Sequence, residues 1–332
     1  MTKSPGPLLQ RPTDDALSDV LRCVRFTRAI YYTVTTLGPW PSIRVPIGSS
    51  LARAFSGRTQ TVLSYHVLTQ GSCWTGLDGE APEHLECGDI VVYPRGDDYF
   101  MAPDKAAAIP LPDAAGLVGL LQGVSAGAIP PAISVGGGEA ASTQFVCGFL
   151  GCDPRPFDPL LAALPRKLIV RRADERLAHL VKLALAEVAA PGADSVRERL
   201  SESMFIETVR QHLATLPPHQ TGWLAGLRDP IVGRALALLH EDPAEPWTLS
   251  SLAKQVGASR SSLADRFTKL VGEPPMHYLT GWRMQMAAHL LRASDAKIAA
   301  VATEVGYDSE AAFSRAFKKA AGATPAAYRG ST

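Results

Sequence analysis

Two stretches near the C-terminal end of the chain repeat each other, and few folds accommodate such a pair. The first runs from Leu252 to Phe267 and continues to Gly272 and Pro275; the second runs from Val301 to Phe317 and continues to Gly322 and Pro325. Ala253 matches Ala302 and Gly257 matches Gly306, each pair 49 residues apart. Further on, Ser259 matches Ser309, Leu263 matches Phe313, Phe267 matches Phe317 and Gly272 matches Gly322, now 50 apart. The extra residue falls between the glycine and the serine, where a turn tolerates it.

Each unit reads as two short helices and a turn. A small residue, Ala253 or Ala302, stands where a second helix must cross closely. Gly257 or Gly306 ends the first helix in a left-handed conformation that side chains resist. Ser259 or Ser309 is placed to cap the next helix. That helix buries Leu263, Phe267 and Leu270 in the first unit, and Phe313 and Phe317 in the second. Its other face carries Arg260, Ser261, Ala264, Asp265 and Thr268, or Glu310, Ala311, Ser314, Arg315 and Lys318. These positions form one continuous helical stripe. A helix-turn-helix presenting such a stripe can enter the DNA major groove; a plain helical bundle is the alternative. A helix expected from Met276 to Leu291, with Trp282, Met286 and Leu290 buried, would set the spacing between the units. Recognition helices that read one DNA face sit about one turn, roughly 34 Å, apart.

With 332 residues the chain is long enough for two domains and a connector. The net charge of +1 does not advertise nucleic acid. From Thr221 onward 13 Lys and Arg face 10 Asp and Glu, a mild basic excess. Residues 1–172 carry short apolar runs between turn signals, such as Thr61–Leu68, the Asp78-Gly79 turn, and Gly88-Asp89 opening Ile90–Pro94. This texture predicts an all-β sandwich or barrel. Residues 173–220 read as a helical connector: one helix over Arg172–Ala190, a Pro191-Gly192 break, and a second over Ser195–Leu216. The hairpin could pack on the β domain or form a dimer seam. Residues 221–332 are the helical repeat domain. The N-terminus lacks the pattern of a signal peptide, and no apolar run approaches the roughly 20 residues of a membrane helix. A cytoplasmic protein is expected.

The segment from about Trp223 to Arg329 resembles the DNA-binding domain of AraC/XylS-type transcription regulators. The signature residues are Ile298, Ala302, Gly306, Tyr307, Ser309, Phe313, Arg315, Phe317, Lys318, Gly322, Pro325, Tyr328 and Arg329. The resemblance implies that Arg260, Ser261, Ala264 and Asp265, with Arg266 nearby, face DNA from the first unit. Glu310, Ala311, Ser314 and Arg315 do so from the second. Lys318 and Lys319 are solvated or face phosphate. Arg315 is the foremost single contact, to guanine or phosphate. Asp265 departs from the family, where a basic residue is common. Its carboxylate could accept from a cytosine amino group, or pair with Arg266 or Lys269.

The N-terminal part resembles the cupin-type sensor attached to many such regulators, through Tyr65-His66-Val67-Leu68, Gly71, Cys73-Trp74, Leu85, Gly88–Gly96, Cys147-Gly148 and Pro159–Pro165. The implied architecture is an N-terminal cupin-like barrel, a helical connector and an all-α double helix-turn-helix domain. Many cupins are metalloenzymes, but His66 is alone on its strand, His84 is expected on a loop, and Asp97-Asp98-Tyr99 stands where related sensors often have a histidine. That donor set does not make a metal triad, so no metal, cofactor or enzymatic activity is expected. His66, Trp74 and Tyr99 are candidates for lining a pocket. Five cysteines precede residue 153: Cys23, Cys73, Cys87, Cys147 and Cys152, the last two expected to bracket a strand end. They are candidates for a thiol switch or plain buried apolar residues. The sequence thus predicts a homodimeric regulator of promoter DNA. A small-molecule effector would tune it and RNA polymerase is a possible partner; a redox sensor or a fused cupin metalloenzyme are the alternatives.

Overall fold

The computed structural model describes residues 16–23, 26–47, 61–111, 113–152, 157–186, 193–217 and 221–330, with Leu51 and Phe55. Contacts divide the chain into two units. One comprises Arg25–Pro154 and Leu164–Thr215; the other comprises Leu216–Thr332 together with Met1–Val24 and Arg155–Ala163.

Among its described residues, the first unit holds ten strands in two sheets. The larger has the order β10-β6-β3-β9-β1-β8. Its members are β1 (Phe26–Leu37), β3 (Thr61–Gln70), β6 (Ile90–Tyr93), β8 (Ala132–Gly136), β9 (Ala141–Cys152) and β10 (Leu168–Val170). The smaller has the order β2-β7-β4-β5, built from β2 (Ile43–Val45), β4 (Ser72–Leu77), β5 (Glu83–Glu86) and β7 (Tyr99–Ala102). No strand ladder joins the sheets among the described residues, so the expected barrel is an open sandwich. The larger sheet is also mixed, because β8 runs parallel to β1.

Alternation along the central strands sorts side chains between two buried faces. Val62 and Leu68 of β3, Val91 and Tyr93 of β6, and Phe145, Cys147 and Phe149 of β9 point into the sandwich, where they meet Cys73, Leu77, Leu85, Tyr99 and Met101. Leu63, Tyr65 and Val67 occupy the opposite face and are equally buried. The connector covers that face. Its helices span Glu175–Ala186 and Ala193–Thr215. Phe205 meets Phe26 edge-on at 5.7 Å, and the Tyr65 hydroxyl donates to Ser201 Oγ at 2.9 Å. Tyr65 reaches Ser201 by lying over Gly148, its partner across the ladder: a Cβ there would sit 2.0 Å from the ring. The hairpin therefore packs on its own β domain through one face. Leu183, Leu185 and Val196 remain exposed on it. The Pro191-Gly192 break lies outside the described residues.

The connector is tied to the sandwich at its start. Asp89 Oδ1 accepts from the Arg172 backbone N–H at 3.0 Å, and Asp89 Oδ2 from Arg171 at 2.7 Å. Arg172 adopts φ 52°, a strained conformation for a residue with a Cβ. A helix over Ala114–Ser125 also belongs to this unit, capped by Asp113 and burying Leu121. The all-β reading of residues 1–172 does not include it. Leu117, Leu121 and Val124 stand at helical spacing, but Gly116, Gly119 and Gly123 interrupt the pattern.

The regular elements of the second unit are all helices among its described residues. We number its helices with the rest of the chain: α1 (Ala16–Cys23), α2 (Ala114–Ser125), α3 (Pro159–Ala163), α4 (Glu175–Ala186), α5 (Ala193–Thr215), α6 (Trp223–Arg228), α7 (Val232–Glu241), α8 (Leu249–Gln255), α9 (Arg260–Val271), α10 (Pro275–Ala293), α11 (Ile298–Glu304), α12 (Glu310–Ala321) and α13 (Pro325–Gly330). Helix α10 runs through the middle and buries Trp282, Met286 and Leu290 as expected. The Tyr278 hydroxyl on α10 accepts from Trp223 Nε1 at 2.8 Å and lies 2.8 Å from His240 Nε2; His240 stacks on Trp282 at 4.0 Å. Burial pushes the His240 pKa down to about 3, so the ring is neutral and accepts from Tyr278. Its Nδ1 faces the Asp19 carboxylate of α1 at 3.8 Å. Helix α1 and the segment around Phe157 thus pack on this helical unit although they precede or interrupt the β domain in sequence; Phe157 fills the space above Gly281, where a Cβ would meet its ring at 2.7 Å.

Candidate nucleic-acid interface

The two repeat units share their turn and second-helix hydrogen bonds, and differ at the first helix, where only α8 has a side-chain cap. In the first, α8 is opened by a capping box between Thr248 and Ser251 and buries Leu252 and Ala253. It ends at Gly257, φ 69°, where the Ala258 N–H returns to Ala253 C=O at 2.9 Å. In the second, α11 buries Val301 and Ala302 and ends at Gly306, φ 81°, where the Tyr307 N–H returns to Ala302 C=O at 2.9 Å. Ser259 accepts from the Ser262 N–H and Ser309 from the Ala312 N–H, capping α9 and α12. Both helices close on left-handed glycines, Gly272 and Gly322. Leu263 and Phe267, like Phe313 and Phe317, are wholly buried, while Leu270 is half-buried.

Burial on one side turns the other outward. Arg260, Ser261 and Asp265 are exposed on α9, with Ala264 half-buried between them; Glu310, Ala311, Arg315 and Lys318 are exposed on α12, with Ser314 half-buried. The structure thus gathers the sequence-predicted residues into two stripes on equivalent helices. Arg266 departs from them: its guanidinium pairs with Asp229 at 2.6 Å. Burial opposes ionisation of Asp229, but Arg266 and the backbone N–H groups of Val232 and Ile231 outweigh it and hold the carboxyl below its usual range. Arg266 thereby locks α9 to the start of α7. Asp265, by contrast, makes no ion pair among the described residues.

One residue that joins the two repeats lies outside both recognition stripes. Arg283 on α10 donates to Pro243 C=O at 2.7 Å and Glu245 C=O at 2.9 Å, and its guanidinium lies 5.9 Å above the Tyr307 ring. It binds the loop entering the first unit to the turn of the second. Gly306 sits beside it, where a Cβ would lie 2.8 Å from the Ala244 backbone. An isolated arginine near a helix centre gives no sequence signal for such a bridge.

The candidates in the β domain do not form one site. His66 and Tyr99 meet in the sandwich core: His66 Nε2 bonds the Tyr99 hydroxyl, and Nδ1 lies 3.1 Å from Cys147 Sγ. Tyr93 stacks on Tyr99 at 3.9 Å. Burial pushes the His66 pKa down to about 3, leaving a neutral imidazole. Trp74 faces away from this core on the other side of its sheet, with Lys105 5.6 Å above the ring and His84 at 5.0 Å. His84 lies on β5 rather than on the expected loop, because β4 pairs with that segment. Among the described residues, no group of three or more His, Cys, Asp or Glu is placed to hold a metal ion. Cys147 and Cys152 both lie on β9, so Cys147 is mid-strand and does not flank its end. Burial pushes the Cys73 thiol up to about 12 and the Cys147 thiol higher still, away from the reactive thiolate. Cys152 is buried and Cys87 exposed; the Cys23 side chain lies outside the described residues.

A pair of twin helix-turn-helix units with outward polar stripes defines a DNA-binding protein. Comparison with known proteins gives its family. Residues 15–214 match the model of a cupin family and residues 252–331 that of a helix-turn-helix domain family. The HTH-type transcriptional regulator AlkR of Acinetobacter baylyi is 32% identical over 327 residues, 95% of this chain and 99% of the relative. The HTH-type transcriptional regulator MtrA of Neisseria gonorrhoeae is 26% identical, over 80% of this chain and 85% of its own. Among solved structures, the DNA-binding domain of AdpA in complex with a target DNA is 32% identical, covering 31% of this chain and 92% of that one, at a TM-score of 0.30. The chain belongs to the AraC-type transcription regulators that carry an N-terminal cupin domain. No described helix is long and apolar enough to cross a membrane.

Proposed function

We propose that this regulator reads promoter DNA with Arg260, Ser261, Ala264 and Asp265 of α9 and with Glu310, Ala311, Ser314, Arg315 and Lys318 of α12, and that a signal received by the cupin domain adjusts that reading. The observation that carries the first half is the pair of equivalent stripes on identically capped helices. Arg266 is excluded from the reading set because Asp229 engages it.

For the second half, the connector is the route. Asp89 and Tyr65 tie the sandwich to α4 and α5, so a rearrangement of the sheets on binding a small molecule would move the hairpin. The exposed Leu183, Leu185 and Val196 favour homodimerisation through the same hairpin. RNA polymerase is the partner through which bound protein would alter transcription, in the cytoplasm. The protein acts as a regulator and not as an enzyme.

The test is binding of the full chain to the promoter region of its own gene, followed by fluorescence anisotropy across a salt series. Affinity should fall steeply with salt as phosphate counterions are released. Arg315→Ala should weaken specific binding by about 1–3 kcal/mol if it contacts a base. Equal binding by wild type and variant removes Arg315 from the interface. Light scattering at micromolar concentration tests the dimer; a monomer refutes it.

A further inference from the structure

The two recognition helices carry the same scaffold with opposite charge order. Arg260 and Glu310 are the first residues of α9 and α12, each directly after its capping serine. Asp265 and Arg315 are the sixth residues. Unit one therefore presents a cation and then an anion, and unit two an anion and then a cation. All four side chains are exposed, and none has an ion-pair partner among the described residues. Of the two cations that could have neutralised Asp265, Arg266 is held by Asp229, and Lys269 forms no ion pair with it among the described residues.

Five residues along a helix rise about 7.5 Å, close to two base-pair steps. The major groove distinguishes these charges sharply. An arginine matches the O6 and N7 acceptors of guanine, and a carboxylate accepts from the N4 amino group of cytosine. A carboxylate held against guanine meets only acceptors, and an arginine held against the cytosine amino group meets only a donor.

Building on the DNA-reading function proposed above, we infer that Arg260, Asp265, Glu310 and Arg315 form a charge-inverted code. The two groove segments of the operator carry G·C pairs of opposite order, each written in the frame of its own recognition helix. Where α9 selects guanine then cytosine, α12 selects cytosine then guanine. The operator is a tandem site whose halves are not copies of one another, although the protein units are repeats.

The test exchanges the code without changing net charge. Arg260→Glu combined with Asp265→Arg gives α9 the charge order of α12, on exposed positions where Glu at a helix start is favourable. Full-length wild type and variant are each selected against a random-sequence duplex library. Binding to the wild-type site, and to the same site with the first segment's G·C pairs reversed, is then measured. The variant should enrich a site whose first segment has the order of the second, and prefer the reversed duplex on the order of ten- to a hundredfold. The reciprocal variant, Glu310→Arg with Arg315→Glu, should recode the second segment in the same way. It decides the matter if the first variant has a lowered unfolding midpoint. A folded variant that keeps the wild-type motif, or that binds neither duplex, overturns the code while leaving DNA reading intact. A wild-type protein that enriches no motif overturns the DNA-reading proposal itself.

Discussion

Gly257 and Gly306 are equivalent in the repeat, yet their replacement by alanine should have very different consequences. Both have positive φ, 69° and 81°, so a Cβ costs about 1–2 kcal/mol of backbone strain at either site. At Gly257 that is the whole effect, because nothing lies within 4 Å of the added atom. At Gly306 the added Cβ would lie 2.8 Å from Ala244 Cα and carbonyl oxygen and 2.8 Å from an Arg283 guanidinium nitrogen. Backbone must move there, and the Arg283 bonds to Pro243 and Glu245 are put at risk. Losing one charged hydrogen bond adds roughly 1.5–3 kcal/mol. Gly306→Ala should therefore cost about 2.5–5 kcal/mol and Gly257→Ala about 1–2 kcal/mol by the same strain and hydrogen-bond magnitudes. Each effect is local to its own repeat unit, so the measurement must resolve individual segments. Hydrogen exchange followed by mass spectrometry reads each segment of the intact protein. Protection across 298–321 should fall by about two orders of magnitude or more in Gly306→Ala, about tenfold per 1.4 kcal/mol, while 249–271 in Gly257→Ala loses about tenfold. Equal losses in the two variants would refute the argument that the close approach to Ala244 and Arg283 sets the difference.

Arg266→Ala should destabilise the packing of α9 against α7 by about 1 kcal/mol, as expected for a partly exposed pair, and leave the selected DNA motif unchanged; a changed motif would return Arg266 to the reading face. Both buried histidines make the fold acid-sensitive. The folded pKa values of His66 and His240 lie near 3, below the ordinary 6.5 of the unfolded chain. The unfolded chain therefore binds more protons between those values. Stability is full above pH 6.5 and falls as the pH drops, by roughly 2 kcal/mol per histidine from pH 7 to pH 5; urea midpoints that stay flat over that range would contradict it. Alkylation of the native protein with iodoacetamide should label Cys87 and spare Cys73 and Cys147, read by mass spectrometry. Rapid labelling of Cys147 would show that the sandwich core opens.

The second helix-turn-helix unit was legible almost residue by residue, because its signals are local. A small residue at a crossing, a glycine needing positive φ, a serine cap and two aromatic residues a turn apart each act within a few residues of chain. Helix periodicity then determined which side chains face outward, and the structure places Arg260, Asp265, Glu310 and Arg315 there. Strand texture likewise announced β3 and β6, because alternating and β-branched runs need no distant partner to be recognised.

What tertiary structure decided depends on residues far apart in sequence. Nothing near Arg266 indicates that Asp229 claims it, and so nothing local distinguishes it from a DNA contact. Trp74 and Tyr99 lie on neighbouring strands, but only the pleat and the pairing of the sheets send one outward and the other into the core beside His66. The open sandwich, the parallel β1–β8 pair and the connector's seat over Gly148 follow from long-range pairing that composition does not encode. Helix α1 belongs to the helical unit because Asp19 and its apolar neighbours find His240 and α10 there, more than 200 residues away in sequence. Local physics determined the repeat and its reading face; packing between distant segments decided which charges remain free to use it.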